Sequence, residues 1–273
     1  MNILFVGDVF GSAGRKIVQE HIGHLRKENS VDLTVINAEN AAGGFGLTPQ
    51  LAEDFFDMGA DVLTTGNHVW DKRELIDYMK SVPADSHERA RRVLRPANLQ
   101  HGLPGYGVYE GVIEDGENIG TPYAVVNLMG RVFMNGTNDP FHAAGQILDG
   151  IAKSSNAKVI LLDFHAEATS EKVAMGWHLD GRVTAVLGTH THIPTADERV
   201  LPGGTAYQTD VGMSGPYDSV IGVEKELVLN RFLTGMPGKF EAATGNPKMC
   251  AALISCEPLT GKAYKIQRIM LGE

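Results

Sequence analysis

The 273-residue chain is short of cysteine, of basic charge and of long apolar runs, and each shortage removes a class of protein. Only two cysteines occur, Cys250 and Cys256. In one extended segment they stand about 20 Å apart at roughly 3.3 Å per residue, so they read as two buried apolar thiols and not as a disulfide. No apolar run approaches the roughly 20 residues that a membrane span needs. The opening Met1 to Val6 lacks the basic flank and the length of a signal peptide, so a cytoplasmic protein that meets no membrane is expected. Lysine and arginine number 24 against 33 acidic residues, a net charge of −9 that argues against a broad grip on duplex DNA. An anionic substrate therefore needs local positive charge. Arg89, Arg91, Arg92 and Arg95 are one source and bound metal is another. For the arginines the plainer reading is a solvated helix face, with Arg91 and Arg95 four apart.

What is present points to a packed fold. The hydrophobic set makes up 43% of the chain, and its 32 glycines follow no G-X-Y period, which implies many tight turns. There is no internal repeat and no Pro-rich or Ser-rich linker, so one domain over residues 1–273 is expected.

Short apolar runs alternate with helix-like segments in the N-terminal half, the pattern of an α/β protein with much parallel sheet. Ile3 to Val6, Val31 to Ile36 and Asp61 to Thr65 read as strands. Between them Ser12 is placed to cap a helix carrying Val18, His21, Ile22 and Leu25 on one face and ending near Asn29. Thr48-Pro49 marks the start of a second helix, with Gly59 as its stop. From Tyr106 to Met129 two antiparallel strands are expected around a turn at Asp115-Gly116. Val159 to Phe164 and Val183 to Leu187 are further strands, separated by a helix from Thr169, and the tail forms a hairpin around Thr260-Gly261.

The chemistry gathers just after the strands. The first is followed by Gly7-Asp8, the second by Asn37-Ala38-Glu39-Asn40 and the third by Gly66-Asn67-His68; two later ones end in Asp163-Phe164-His165 and Gly188-Thr189-His190-Thr191-His192. The carboxyl ends of strands in an open α/β sheet form the crevice where ligands bind, so five separate segments converge on one site. One Asp or Asn after a strand is ordinarily a turn residue or helix cap, and five such coincidences are not. Oxygen and imidazole donors without thiolate suit Mn, Fe, Zn or Mg. Asp8, Glu39, Asn40, Asn67, His165, His190 and His192 are seven candidates, too many for one ion and enough for two that share a bridging carboxylate. In an extended segment His190 and His192 would share a face about 6.6 Å apart and address different metals.

These motifs, in this order and over nearly the whole chain, resemble the metallophosphoesterase (calcineurin-like phosphoesterase) superfamily, and within it the YmdB-like branch. The resemblance implies a four-layer αββα sandwich of mixed β-sheets flanked by helices. It also implies two divalent or mixed-valence transition-metal ions per chain, Fe or Mn before Zn or Mg. By resemblance one ion takes Asp8, Glu39, Asn40 and His192, and the other takes Glu39, Asn67, His165 and His190. The wider superfamily places a metal-binding histidine where this chain has Phe10, and Asn40 is the natural substitute; its bridging aspartate is here Glu39. The implied activity is hydrolysis of a small phosphodiester or cyclic nucleotide, including the 2′,3′-cyclic kind, by metal-activated hydroxide. His68 is the expected catalytic proton donor, since imidazole titrates near neutrality and the departing alkoxide needs a proton. Asp71, three residues on, either orients His68 or caps the next helix with Glu74, the second being the stronger expectation.

Other classes fit less well. Gly7, Gly11 and Gly14 follow the first strand, but their G-x-x-x-G-x-x-G spacing is not the dinucleotide fingerprint. A dinuclear amidohydrolase would use similar donors, although the neutral amide of Asn67 leaves more net positive charge for a phosphate oxygen. A regulatory metal- or nucleotide-binding protein on the same fold, without turnover, is the alternative function. A homo-oligomer stays open.

Overall fold

The computed structural model describes residues 1–80, 82–83 and 88–272. The first half runs β1 (Asn2–Val6), α1 (Gly11–Glu28), β2 (Leu33–Asn37), α2 (Pro49–Asp57), β3 (Val62–Thr64), α3 (Arg73–Lys80) and β4 (Val93–Leu94). It continues through β5 (Val108–Val112), β6 (Pro122–Met129), α4 (Pro140–Lys153), β7 (Val159–His165), α5 (Thr169–Leu179) and β8 (Ala185–Thr189). Then come β9 (Arg199–Val200), β10 (Ala206–Gln208), β11 (Gly215–Pro216), α6 (Lys225–Thr234), β12 (Pro247–Cys256) and β13 (Ala263–Leu271).

The strands form two mixed sheets. One has the order β11-β12-β1-β2-β3-β4, with β13 also on β12; the other has the order β5-β6-β7-β8-β10-β9. β1 to β4 are mutually parallel, as are β6, β7, β8 and β10, while β12, β13, β5 and β9 run antiparallel to their neighbours.

Strand periodicity sorts the side chains into three apolar layers. On β1, Leu4 and Val6 meet Ile17, Val18 and Ile22 of α1, whereas Ile3 and Phe5 turn to the other face. There they join Leu33, Val35 and Val62 and pack against Val125, Val159, Leu161 and Leu187 of the second sheet. The far face of that sheet carries Ile160, Leu162 and Phe164 against Leu148 and Ile151 of α4 and Met175 of α5. Each such buried side chain contributes about 1.5–3 kcal/mol. Three apolar layers between helices, sheet, sheet and helices make the four-layer αββα sandwich that the resemblance implied. Among the described residues no helix is long and apolar enough to cross a membrane.

Several local expectations change. Ser12 does not cap α1: the cap position is Phe10, with no side-chain bond, and the loop is tied instead by Phe10 N donating to the Ser214 carbonyl and Gly11 N to that of Asn40. Thr48 does cap α2, its Oγ1 accepting from Leu51 N at 3.3 Å, and Gly59 follows the helix at φ 102°. The β5–β6 hairpin is longer than a turn at Asp115-Gly116, because Gly120 N bonds the Ile113 carbonyl and closes the loop beyond it. Arg89 to Arg92 form a short 3₁₀ turn, not an α-helical face. Arg89 pairs with Glu53 and Asp57, Arg92 with Glu114, Arg91 stacks on Tyr106, and Arg95 donates to backbone carbonyls. Cys250 and Cys256 are buried free thiols.

Candidate metal centre

The layer between the sheets changes character at the carboxyl ends of its strands. Counting by twos, Leu33 and Val35 lead to Asn37 on β2, Val62 to Thr64 on β3, Leu161 to Asp163 and His165 on β7, and Leu187 to Thr189 on β8. The apolar core thus ends in a buried polar network. Asp163 accepts from Asn37 Nδ2 at 2.9 Å, from Thr64 Oγ1, and from Thr189 Oγ1 at 2.7 Å, joining the two sheets. Because the single Thr189 hydroxyl proton goes to Asp163, its oxygen accepts from His165 Nδ1, 2.9 Å away. His165 Nε2 is thereby turned toward the site, 3.2 Å from Glu39 Oε1.

The other two histidines follow the same logic. His190 Nε2 faces Glu167 Oε2 at 3.3 Å, leaving Nδ1 inward at 3.0 Å from His165 Nε2. His192 Nδ1 donates to the Ile221 carbonyl at 2.9 Å, leaving Nε2 inward at 3.1 Å from Asn40 Nδ2. An outer acceptor that fixes the tautomer while the second nitrogen points inward is the usual support of a metal-ligating imidazole.

Among the described residues two groups of donor atoms result, each within 4.8 Å of one another: Glu39, His165 and His190 in one; Asp8, Glu39 and His192 in the other. Glu39 belongs to both. Asn67 Oδ1 lies 2.9 Å from His165 Nε2, on the first group's side. Asn40 sits beside the second group, but it turns its amide nitrogen to Glu39 Oε1 at 3.0 Å, so holding an ion through oxygen requires a half-turn of that amide. The structure therefore brings all seven candidate ligands together.

The electrostatics favour a cation. Asp8 and Glu39 are 0% and 1% exposed. Burial pushes the Asp8 carboxyl up. Burial acts the same way on Glu39, but the attraction and hydrogen bond of His165 outweigh it and hold Glu39 at about 2. Burial alone would lower His165, yet Glu39, Asp8 and Asp163 raise it to about 9. His190 falls to about 3 through burial and the neighbouring His165 charge, and burial lowers His192. A pocket of carboxylates that forces a proton onto one buried imidazole answers a dication better still. This all-oxygen and imidazole donor set fits a transition metal.

The connecting backbone is special. Beyond β8 the segment is not extended, as the expectation for His190 and His192 assumed: both have positive φ, 99° and 67°. Such left-handed conformations cost a non-glycine residue about 1–3 kcal/mol and persist only when the surroundings hold them. Here His190 N donates to Asp8 Oδ2 at 3.2 Å. Between them Thr191 donates to Asp210 Oδ2 through N at 3.2 Å and Oγ1 at 2.8 Å, and Lys172 Nζ meets the same oxygen at 2.6 Å. The two histidines still reach different donor groups, through the turn and not through a shared strand face. Gly66 serves by having no side chain, since a Cβ there would stand 2.3 Å from His165 Nε2 and 2.4 Å from Glu39 Oε2.

His68 lies beside the donors without joining either group. Its Nδ1 bonds Asp71 Oδ2 at 2.8 Å, so Asp71 orients His68, against the stronger expectation that it caps the next helix with Glu74. A cavity of about 320 Å³ opens over Glu39, Asn40, His68, His190 and His192, and none of the four arginines near residue 90 lines it.

Asp210, Lys172 and Thr189 were missed by the sequence reasoning. Lys172 had a signal, a charged residue on the buried stripe with Met175, Gly176 and Leu179 of α5. Asp210 had a weaker one, as a polar residue two positions beyond β10.

Comparison with known proteins identifies the family. A family model described as YmdB-like protein matches residues 4–269. The chain is 45% identical over 273 residues to a protein of Bacillus subtilis (strain 168) named 2′,3′-cyclic-nucleotide 2′-phosphodiesterase, covering 100% of this chain and 98% of that one. A crystal structure of a phosphatase from Mycoplasma pneumoniae superposes with a TM-score of 0.88 at 32% identity, over 100% of this chain and 93% of that one. The crystal structure of a hypothetical protein from Thermus thermophilus superposes equally well, with a TM-score of 0.88 at 40% identity and full coverage of both chains. The chain belongs to the YmdB-like family.

Proposed function

We propose that the protein is a metal-dependent phosphodiesterase acting on 2′,3′-cyclic nucleotides or closely related small phosphodiesters. The observation that carries this reading is Glu39, the one carboxylate common to two converging donor groups. Asp8, Glu39, Asn40 and His192 would hold one ion, and Glu39, Asn67, His165 and His190 the other. When bound, two such ions would neutralise the phosphate oxygens and bring the pKa of a coordinated water toward neutrality. The name of the 45% identical relative supports the substrate class.

The protein's own groups supply the rest. Water adds at phosphorus, one ester P–O bond breaks, and the departing ribose alkoxide must gain a proton. His68 would give it: Asp71 on Nδ1 orients the ring and leaves Nε2 free to face the substrate. Fixed Nδ1 and Nε2 partners keep His165, His190 and His192 aligned so that no donor reorganises during the reaction.

Metal analysis of the purified protein together with a panel of monoesters, linear diesters and cyclic diesters tests the reading. About two transition-metal ions per chain and a preference for cyclic diesters are expected. Metal without turnover of any ester would make the protein a binding module instead.

A further inference from the structure

The cavity over the donor groups has an apolar part that the chemistry above does not use. Phe45, Ile221, Val223 and Phe240 line it together with His68 and the donors. Phe45 and Ile221 are 37% and 49% exposed, large apolar surface left open at the mouth of a polar site. Phe45 stands edge-to-face on His68, ring centroids 5.0 Å apart at 66°.

The loop that presents Phe45 is held on both sides. Gly43, Gly44 and Gly46 all have positive φ, and Ala42 N closes the turn onto the Gly46 carbonyl at 2.9 Å. Added Cβ atoms would meet the Phe10 ring at Gly44 and the Lys72 side chain at Gly46, each at 2.8 Å. The loop thus sets the Phe45 ring beside His68. Phe240, in turn, lies under the Arg231 guanidinium, 5.1 Å from the ring centroid.

We propose that these side chains form a nucleobase subsite, with Phe45 as the face on which the base of the cyclic nucleotide stacks. The inference rests on the phosphodiesterase reading. In a nucleoside 2′,3′-cyclic phosphate the base sits on C1′, the carbon next to the one bearing the 2′ oxygen. A group that protonates a departing 2′ oxygen therefore has the base close by, and what adjoins His68 is an exposed aromatic ring. Phe45, Ile221, Val223 and Phe240 carry no side-chain donor or acceptor, so the subsite holds a base by its face and does not read its edge. Purine and pyrimidine substrates should both be accepted.

The test compares kcat/KM for 2′,3′-cyclic AMP with that for glycerol 1,2-cyclic phosphate, the same five-membered cyclic diester without a base. It uses the metal-loaded wild type, Phe45→Ala and Phe45→Trp. The wild type should prefer the nucleotide. The ratio should fall about tenfold in Phe45→Ala, mainly through KM, within the range that loss of one base–aromatic stack produces, and Phe45→Trp should restore it. Equal loss on both substrates would show that Phe45 serves only to position His68 and would overturn the subsite. A wild type that cleaves the two diesters equally well would overturn the subsite while leaving the phosphodiesterase reading in place. No cleavage of either diester would overturn both.

Discussion

The two halves of the donor cluster differ in how they meet solvent. The group of Asp8, Glu39 and His192 is buried throughout, with Asn40 2% exposed beside it and Phe10 packed edge-on against His192 at 5.6 Å. The group of Glu39, His165 and His190 opens outward: the His190 side chain is 23% exposed, Asn67 is exposed, and His68 stands at its edge. A closed set of ligands holds an ion, whereas an open one leaves positions for water and substrate. On the reading proposed above, the buried half, which reaches the cavity only through Glu39, Asn40 and His192, would chiefly retain metal and the more exposed half would present it. Glu39 is the hinge between them.

The harshest way to break the comparison is therefore Glu39→Ala. Removing the shared carboxylate should take metal content from about two ions per chain to nearly none and abolish hydrolysis, as elemental analysis and an assay on a cyclic diester would report. A variant that kept one ion at wild-type affinity would show that Glu39 serves one half only.

The open half is sharpened by His68→Ala. Metal content should stay unchanged while kcat for an alkoxide leaving group falls about 10²–10⁴-fold, the usual share of general acid catalysis. With p-nitrophenolate, which departs without a proton, the loss should shrink. Loss of metal in this variant would instead make His68 a ligand, and equal loss on both leaving groups would replace proton transfer by positioning.

How much of this was legible in the chain depends on distance along it. Apolar runs such as Ile3 to Val6 and Val159 to Phe164 announced their strands, and the polar residues after them announced the site, because both signals are local. The resemblance supplied the layer order and the pairing of ligands. What stayed hidden is set by contacts across the fold. The left-handed turn at His190 and His192 is held by Asp210, Lys172 and Asp8, the last 182 positions from His190. Ser12 looked like a helix cap, yet carbonyls of Asn40 and Ser214 tie that loop from elsewhere. The arginines near residue 90 were one candidate source of positive charge, with a solvated helix face as the plainer reading, and carboxylates, aromatic rings and carbonyls engage them instead.

The turn that carries both histidines bears on both halves at once, and Asp210→Asn tests it. Lys172 and Asp210 are each 1% exposed, so the change leaves a buried ammonium without its counter-charge, a loss of about 3–5 kcal/mol. Thermal unfolding should show a lower Tm, and metal affinity should weaken about 10–100-fold, the scale for residues that orient ligands. Lys172→Met added to Asp210→Asn should recover much of the stability and little of the affinity. Recovery of both would mean that Asp210 acts through stability alone.

The smallest expected effect on metal binding separates Asn40 from Phe10 in the closed half. Phe10 occupies the place where the wider superfamily has a metal-binding histidine, and it is 3% exposed with its ring against Gly44 and Gly222. Phe10→Ala should cost about 3–5 kcal/mol of stability through the cavity it leaves, with metal affinity changed little in the protein that stays folded. Asn40→Ala should do the reverse. It removes a short side chain whose amide nitrogen bonds Glu39 and faces His192, and whose oxygen would replace that nitrogen at an ion. One of the two ions should then bind about tenfold more weakly and the other as before, which a metal titration with two resolved steps would show. If both steps match the wild type, Asn40 is a turn residue before Gly43-Gly44 and leaves the ligand set. If both weaken together, Asn40 acts by holding Glu39 in place, and the closed half has no ligand where the superfamily's histidine would stand.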